Sequence, residues 1–225
     1  MARPTSPSPE REQISELTTG RLSVYLRCLT FLESQDKKTV SSHELAERFH
    51  LNSAQIRKDL ACFGEFGTRG VGYNVSKLKA TLVQTLGIDR TRNVLIVGAG
   101  NLGMALADYE GFNTNGFHIV ALLDSNPDKV GRQSRAGIPV MPWQKLGEIV
   151  RRNHVEIGIV ATPGDSAQSV HDALCEAGVR AVLNFAPVQM RLTTGVKVRS
   201  VDLRINLESL SFYLKNAEDG ISHEE

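Results

Sequence analysis

Four apolar residues, Val94-Leu95-Ile96-Val97, run directly into Gly98-Ala99-Gly100-Asn101-Leu102-Gly103, and the chain continues as Met104-Ala105-Leu106-Ala107. The apolar run suits a buried strand, the spaced glycines suit a tight turn, and the residues after them are helix formers. No other feature constrains the fold as much, because strand, glycine turn and helix at this spacing open a βαβ unit of a parallel sheet. Each glycine has its own task. Gly98 makes the turn, Gly100 lets a pyrophosphate approach the backbone, and Gly103 lets helix and strand pack closely. The next apolar run, Ile119-Val-Ala-Leu-Leu-Asp124, closes on a carboxylate at the spacing where such units hold an adenine ribose. A carboxylate there repels a 2′-phosphate and favours NAD(H) over NADP(H); the alternative for Asp124 is a loop cap at a strand end.

Beyond Gly103 the pattern alternates. Strands are predicted at 93–97, 117–123, 155–161 and 179–184, with helices from Asn101 toward Tyr109, over 143–152 and from Ser166 to Ala177. Such alternation implies a parallel sheet with crossover helices and ligands at the carboxyl ends of its strands. Two strand ends point there, Ala161-Thr-Pro-Gly164 and Asn184-Phe-Ala-Pro187. Thr162 could touch the dinucleotide backbone and Asn184 to Pro187 could pack on a nicotinamide; both segments could equally be ordinary turns.

The glycine motif begins near the middle of the chain, so the first ninety residues are not the nucleotide domain. A first helix is expected from Ile14 to Leu32. Ser41-Ser-His-Glu44 and Asn52-Ser-Ala-Gln55 both fit capping boxes. They open two short helices joined at His50-Leu51-Asn52, the first burying Leu45, Ala46 and Phe49, the second Ile56, Leu60 and Phe63, with Gly64 as its stop. This is the helix-turn-helix pattern, in which the second helix enters the major groove. Ser53, Gln55, Arg57 and Lys58 lie off the apolar stripe; a plain helical hairpin with a solvated face is the other reading. Gly64 to Val75 then carries four glycines around Arg69 with Val71, Tyr73 and Val75 alternating, a hairpin placed as a wing with Arg69-Gly70 at its tip. Ser76 starts a helix that Gly87 ends. From Arg48 to Lys79 six basic residues stand against Asp59 and Glu65, a local excess suited to a polyanion although the whole chain carries a net charge of only +1.

No residue set supplies chemistry for turnover. His43, His50, His118, His154, His171 and His223 fall in caps, turns, strand starts, a helix and the tail, away from the expected ligand crevice. No metal-ligand spacing occurs, and the sheet elements extend to about residue 203, leaving no substrate domain. A cofactor that is sensed and not consumed fits this absence. Cys28, Cys62 and Cys175 fall in predicted helices as small core residues. No apolar run is long enough for a membrane span and no secretory pattern opens the chain, so a cytoplasmic protein is expected. Leu203, Leu207, Leu210 and Leu214 form one stripe of a terminal helix, packed on its own domain or on a second subunit.

With these motifs in this order the chain resembles the Rex family of redox-sensing transcriptional repressors. The resemblance runs from Ile14 to Lys215 and is carried by Gln55-Ile-Arg-Lys-Asp-Leu60, Phe66-Gly-Thr-Arg-Gly-Val-Gly-Tyr73, Ala105-Leu-Ala-Asp-Tyr109, Leu183-Asn-Phe-Ala-Pro187 and Leu210-Ser-Phe212. It implies an α/β chain with a winged-helix DNA-binding domain at 13–88, a Rossmann NAD(H)-binding domain at 89–203 and a domain-swapped dimerisation helix at 204–216, between dispensable tails at 1–12 and 217–225. It further implies a homodimer on two-fold operator DNA, released when NADH rises. By the same likeness Arg57, Lys58 and Arg69 match DNA-contacting positions, and Arg27, Tyr109 and Asp202 match a switch trio at the nicotinamide pocket. Two rivals remain at this point: a small NAD-dependent oxidoreductase, and a regulator reading another adenine nucleotide such as a coenzyme A derivative.

Overall fold

A computed structural model describes residues 15–64, 66–68, 71–113 and 116–221, and the chain divides between Arg90 and Thr91 into two units. In the first, α1 (Glu16–Ser34) starts where the Ser15 hydroxyl accepts the Thr18 amide, and it buries Leu22, Tyr25, Leu29 and Leu32 on one stripe. After β1 (Thr39–Val40), α2 (Ser42–Phe49) is capped by the Ser41 hydroxyl on the Glu44 amide. The Glu44 carboxylate meets Lys37 at 2.7 Å, where the capping box expected it to turn back on the helix start. His50 takes a left-handed conformation (φ 54°) and turns the chain into α3 (Ser53–Ala61), which Asn52 caps through the Gln55 amide.

Two strands follow, β2 (Gly67–Thr68) and β3 (Gly72–Asn74), pairing antiparallel, and β3 also pairs β1. The expected hairpin is present; its tip, Arg69-Gly70, lies outside the described residues. Then α4 (Val75–Thr85) closes the unit against α1. Some boundaries differ from expectation. Helix α3 ends at Ala61, three residues before Gly64, and α4 starts one residue early because the Asn74 side chain caps the Lys77 amide. Cys62, just past α3, is exposed, so it is not the core residue its helical spacing suggested. Ile14 and both chain ends lie outside the described residues.

A charged group sits inside this unit. Asp59 on α3 is 2% exposed and accepts from four donors: Arg21 Nε at 2.5 Å, Arg21 Nη2 at 2.7 Å, Tyr25 hydroxyl at 2.8 Å and Gln55 Nε2 at 2.8 Å. Burial pushes its carboxyl up, yet the bonds from Arg21, Tyr25 and Gln55 outweigh burial and hold it below the ordinary carboxylate range. The two-toothed Arg21 bond fixes α3 on α1 in one register.

The second unit is a six-stranded parallel sheet in the order β6-β5-β4-β7-β8-β9, built from β4 (Arg92–Val97), β5 (Phe117–Asp124), β6 (Val140–Pro142), β7 (Ile157–Val160), β8 (Ala181–Asn184) and β9 (Lys197–Ser200). In chain order this is third-second-first-fourth-fifth-sixth, the doubly wound arrangement with its crossover point beside the first strand. Alternate residues of β4 feed two cores. Leu95 and Val97 join Leu146, Ile149 and Val150 of α7 (Leu146–Arg152) and Ala167, Val170 and Leu174 of α8 (Gly164–Glu176). Val94 and Ile96 join Ile119, Leu122 and Ile159, with Ala107 of α5 (Asn101–Ala107). Two strands, β6 and β9, were not predicted. They are short edge strands, one carrying Pro142 and the other Lys197 and Arg199, so they lack the apolar run that marks a central strand.

The short α6 (Glu110–Asn113) follows α5, and the last described element is α9 (Leu203–Ile221), whose Leu203, Ile205, Leu207, Leu210, Phe212, Tyr213 and Leu214 all stand exposed. Among the described residues no helix is long and apolar enough to cross a membrane, and no group of three His, Cys, Asp or Glu is arranged to hold a metal ion.

Breaking a buried ion pair from one side leaves the other charge uncompensated, so Asp59→Ala should destabilise the first unit by about 3 kcal/mol. Because the folded carboxyl lies below its unfolded value, this stabilisation is full above the ordinary carboxylate range and fades as pH falls through the folded pKa. Urea titrations across pH should therefore show the gap between wild type and Asp59→Ala narrowing below about pH 4. A gap independent of pH would dissociate the carboxylate from the network's stability.

Candidate functional site

The second unit carries a cleft of about 960 Å³ at the carboxyl ends of β4, β5 and β7. The glycine turn forms its floor. Gly98 adopts φ 104°, and a Cβ there would lie 2.4 Å from the Ala161 carbonyl oxygen, so any larger residue would drive β4 from β7. A Cβ on Gly103 would lie 1.8 Å from the Gly98 carbonyl, which makes Gly103 the contact point of α5 on the turn. At Gly100 a Cβ would point into open space. Nothing among the described residues requires a glycine there, and the open side leaves room for a ligand to approach the backbone.

Polar groups face the cleft without partners of their own. Two helices, α5 and α8, begin at its wall after Gly100 and Pro163, and neither has a side-chain cap. Their first-turn amides form an electropositive rim suited to phosphate oxygens. The Thr162 hydroxyl is the one buried side-chain polar atom without a hydrogen-bond partner among the described residues, and Thr162 lines the cleft. An unsatisfied buried hydroxyl is costly, and a ligand group would relieve it.

Asp124 closes β5 at the other side. Its Oδ2 accepts the Ala99 amide at 2.8 Å and the Lys129 ammonium at 2.9 Å, and its Oδ1 accepts the Asn126 amide at 2.9 Å. Burial raises its carboxyl, but bonds from Asn126, Lys129 and Ala99 win and lower it, so the group is anionic at neutral pH. Asp124 is therefore both the loop cap and a charge on the cleft wall.

Gly98, Gly100, Asn101, Leu102, Asp124 and Thr162 thus line one cleft, with Ala99 and Gly103 in the turn behind it. Three predicted residues do not line it. Tyr109, 57% exposed beyond α5, packs edge-on against Phe112 at 5.0 Å. Asn184 is fully buried and committed to its own turn, donating to the Ala186 and Val188 carbonyls and the Ser200 hydroxyl and accepting from the Ala186 amide. It positions the segment that presents Pro187, which is exposed. Sequence reasoning missed Lys129, Trp143 and Ser166 on the wall. Asn126-Pro-Asp-Lys129 after a strand-closing acid was a readable turn signal for the first; Trp143 and Ser166 gave none.

In the first unit, Arg57 and Lys58 stand exposed on α3, and Arg57 donates to the Ser42 hydroxyl at 3.1 Å. Arg57 borders a hollow of about 440 Å³ with Ser41, Ser42, Thr68 and Tyr73, between the start of α2 and the hairpin. Ser53 is half-buried, and Gln55 is held by Asp59. Arg69 and Gly70 lie outside the described residues. Of the trio, Arg27 is exposed on α1 of the first unit. Asp202, half-buried in the second unit with Tyr109, caps the start of α9 through the Arg204 amide at 2.9 Å.

Comparison with known proteins covers both units. A family model described as a CoA binding domain matches residues 89–188, and one described as a putative DNA-binding protein N-terminus matches residues 13–61. A relative from Carboxydothermus hydrogenoformans, named redox-sensing transcriptional repressor Rex, is 49% identical over 203 residues, 90% of this chain and 97% of its own. The crystal structure of RSP with β-NAD+ and operator DNA is similar at a TM-score of 0.86 and 37% identity, covering 94% of this chain and 97% of that one. RSP with β-NADH gives 0.83 and 36%, covering 95% and 99%.

The glycine geometry separates two roles. Gly100→Val should abolish dinucleotide binding with thermal stability nearly unchanged, whereas Gly103→Val should lower the melting temperature sharply. Calorimetric titration with NADH alongside thermal melts checks both. Retained NADH binding in Gly100→Val would move the ligand away from this turn.

Proposed function

This chain belongs to the Rex family of redox-sensing transcriptional repressors, and from that membership we propose how its two units work together. It is a regulator that binds operator DNA and senses NAD(H), not an enzyme. The observation that carries the reading is one chain joining a helix-turn-helix and hairpin to a doubly wound cleft, similar from end to end to a repressor solved with NAD+, with NADH and with operator DNA.

The residues of the cleft fit a dinucleotide. Backbone at Gly98, Ala99, Gly100, Asn101, Leu102 and Gly103 takes the pyrophosphate, Asp124 the adenine ribose, and Thr162 supplies its unused hydroxyl. Tyr109 and the Asn184 to Pro187 turn serve the nicotinamide end. When bound, the nicotinamide brings a ring that is cationic in NAD+ and neutral in NADH. A carboxylate near that end, Asp202, senses the difference as charge, and Arg27 and Tyr109 complete the trio that relays it. In the first unit Arg57 and Lys58 on α3, with Ser53 and the Arg69-Gly70 tip, contact phosphates and base edges.

The protein works as a homodimer in the cytoplasm. Leu203, Leu207, Leu210 and Leu214 form one exposed apolar stripe on α9, unpartnered among the described residues, and burying each Leu of it contributes about 2 kcal/mol. Exchange of α9 between subunits places that face on the partner, and a two-fold dimer matches a two-fold operator. Replacing Leu207 and Leu210 together by Glu should yield a monomer in sedimentation velocity with weakened operator binding. A variant that remains dimeric would exclude α9 as the interface.

Ligand control is then a population shift. NADH releases DNA only to the extent that it binds the non-DNA-binding dimer more tightly, about 1.4 kcal/mol for each tenfold change. Anisotropy titrations with operator DNA should show NADH weakening binding while NAD+ at equal occupancy does not. Asp202→Ala should bind DNA normally yet lose the NADH response. Equal effects of the two dinucleotides on the wild type would sink the sensing mechanism, and a normal response in Asp202→Ala would take that residue out of it. Coenzyme A, suggested by the family model that matches 89–188, serves as the competing ligand in the same titration.

A further inference from the structure

We propose that Asn184 is a positioning residue of the redox switch: its buried amide fastens the turn that follows β8 to the strand end that carries Asp202, so that a shift in one is felt at the other. The inference rests on the assignment of Asp202 to sensing. Asn184 closes β8 with its side chain wholly inside the second unit. Its Oδ1 accepts the Ala186 amide at 2.8 Å, and its Nδ2 donates to the Ala186 carbonyl at 3.1 Å and the Val188 carbonyl at 3.0 Å. These bonds hold the turn in one shape. The turn in turn rests on the start of α8 beside the cleft, where a Cβ on Gly164 would lie 2.8 Å from a Val188 methyl.

The same residue reaches β9. Asn184 pairs with Ser200 in the sheet, its carbonyl accepts the Val201 amide at 2.8 Å, and its Nδ2 lies 3.3 Å from the Ser200 hydroxyl. Asp202 follows at once and caps α9 through the Arg204 amide at 2.9 Å. A side-chain amide has two hydrogens to donate. Nδ2 faces three oxygens, and Ser200 Oγ is the farthest of them. The turn and the strand end therefore compete for one donor group. A tighter turn weakens the hold on Ser200, and a displaced strand end returns the hydrogen to the turn. A ligand that favours one arrangement of the turn thereby biases the setting of Asp202 and the root of α9.

The test is the coupling ratio of the full-length protein, its operator affinity without NADH divided by that at saturating NADH, read by anisotropy with NADH affinity measured by calorimetry alongside. Ser200→Ala removes the contested hydroxyl and leaves every bond of the turn in place. It should lower the ratio by at least about threefold with NADH affinity within about twofold of wild type, and Ser200→Thr, which keeps the hydroxyl, should hold the ratio. Asn184→Asp keeps the acceptor for the Ala186 amide but removes the shared donor, and should lower the ratio as well; if it does not fold, the two Ser200 variants decide. A ratio in Ser200→Ala that falls by less than about threefold overturns the proposal. So does a fall that Ser200→Thr shares, or one matched by an equal loss of NADH affinity, since either marks a merely structural role. Asp202→Ala measured in parallel separates the two readings. A wild-type ratio in that variant, or a wild type indifferent to NADH, overturns the sensing assignment and the proposal with it, whereas an uncoupled Asp202→Ala beside an unaffected Ser200→Ala overturns the proposal alone.

Discussion

Where α5 begins, its backbone rests against the Gly98 carbonyl with no room for a side chain: a Cβ on Gly103 would lie 1.8 Å from that oxygen. This approach lets the helix follow β4 at once, brings its first amides to the end of the strand, and leaves Gly100 open beside them. The Gly98 amide bonds the Leu123 carbonyl at 2.8 Å, and Ala99 bonds Asp124, so the same turn also ties β4 to the end of β5. The cleft is a consequence of these contacts. Its floor, the uncapped start of α5 and the place of Asp124 all descend from a few glycines that admit backbone where other residues would not fit.

The first unit solves a different problem by different means. A three-stranded sheet of very short strands offers α3 little to pack on, so the helix is fixed through its inner face. Ile56 and Leu60 supply the apolar contact, and Asp59 between them supplies orientation through Arg21 and Tyr25 of α1. A carboxylate with four donors in fixed directions tolerates little rotation of the helix. Arg57 and Lys58 then point outward because Asp59 points inward.

The second unit leaves several groups unsatisfied, and each of them is suited to an interaction. The Thr162 hydroxyl lacks a partner beside the cleft, the starts of α5 and α8 lack side-chain caps, and α9 exposes apolar residues between Leu203 and Leu214. A chain complete in itself would hide such groups. A dinucleotide at the cleft and a second subunit on α9 are the partners proposed for them.

Local signals carried much of this in the sequence. The glycine turn, the strand-closing Asp124, the Ser41 and Asn52 caps and the apolar spacing of α1 and α4 act over a few residues, so spacing alone reveals them. The edge strands β6 and β9 were not legible, because a strand paired on one side needs no continuous apolar run. Nor was the role of Gln55, which lies off the apolar stripe of α3 yet turns to a buried carboxylate. What the sequence determined by itself was the order of elements and the chemistry at their ends. Which groups meet across that order, Asp59 with Arg21, Asp124 with Lys129, Asn184 with its own turn, only the tertiary structure decided, since hydrogen-bond partners are chosen by distance in space and not by position along the chain.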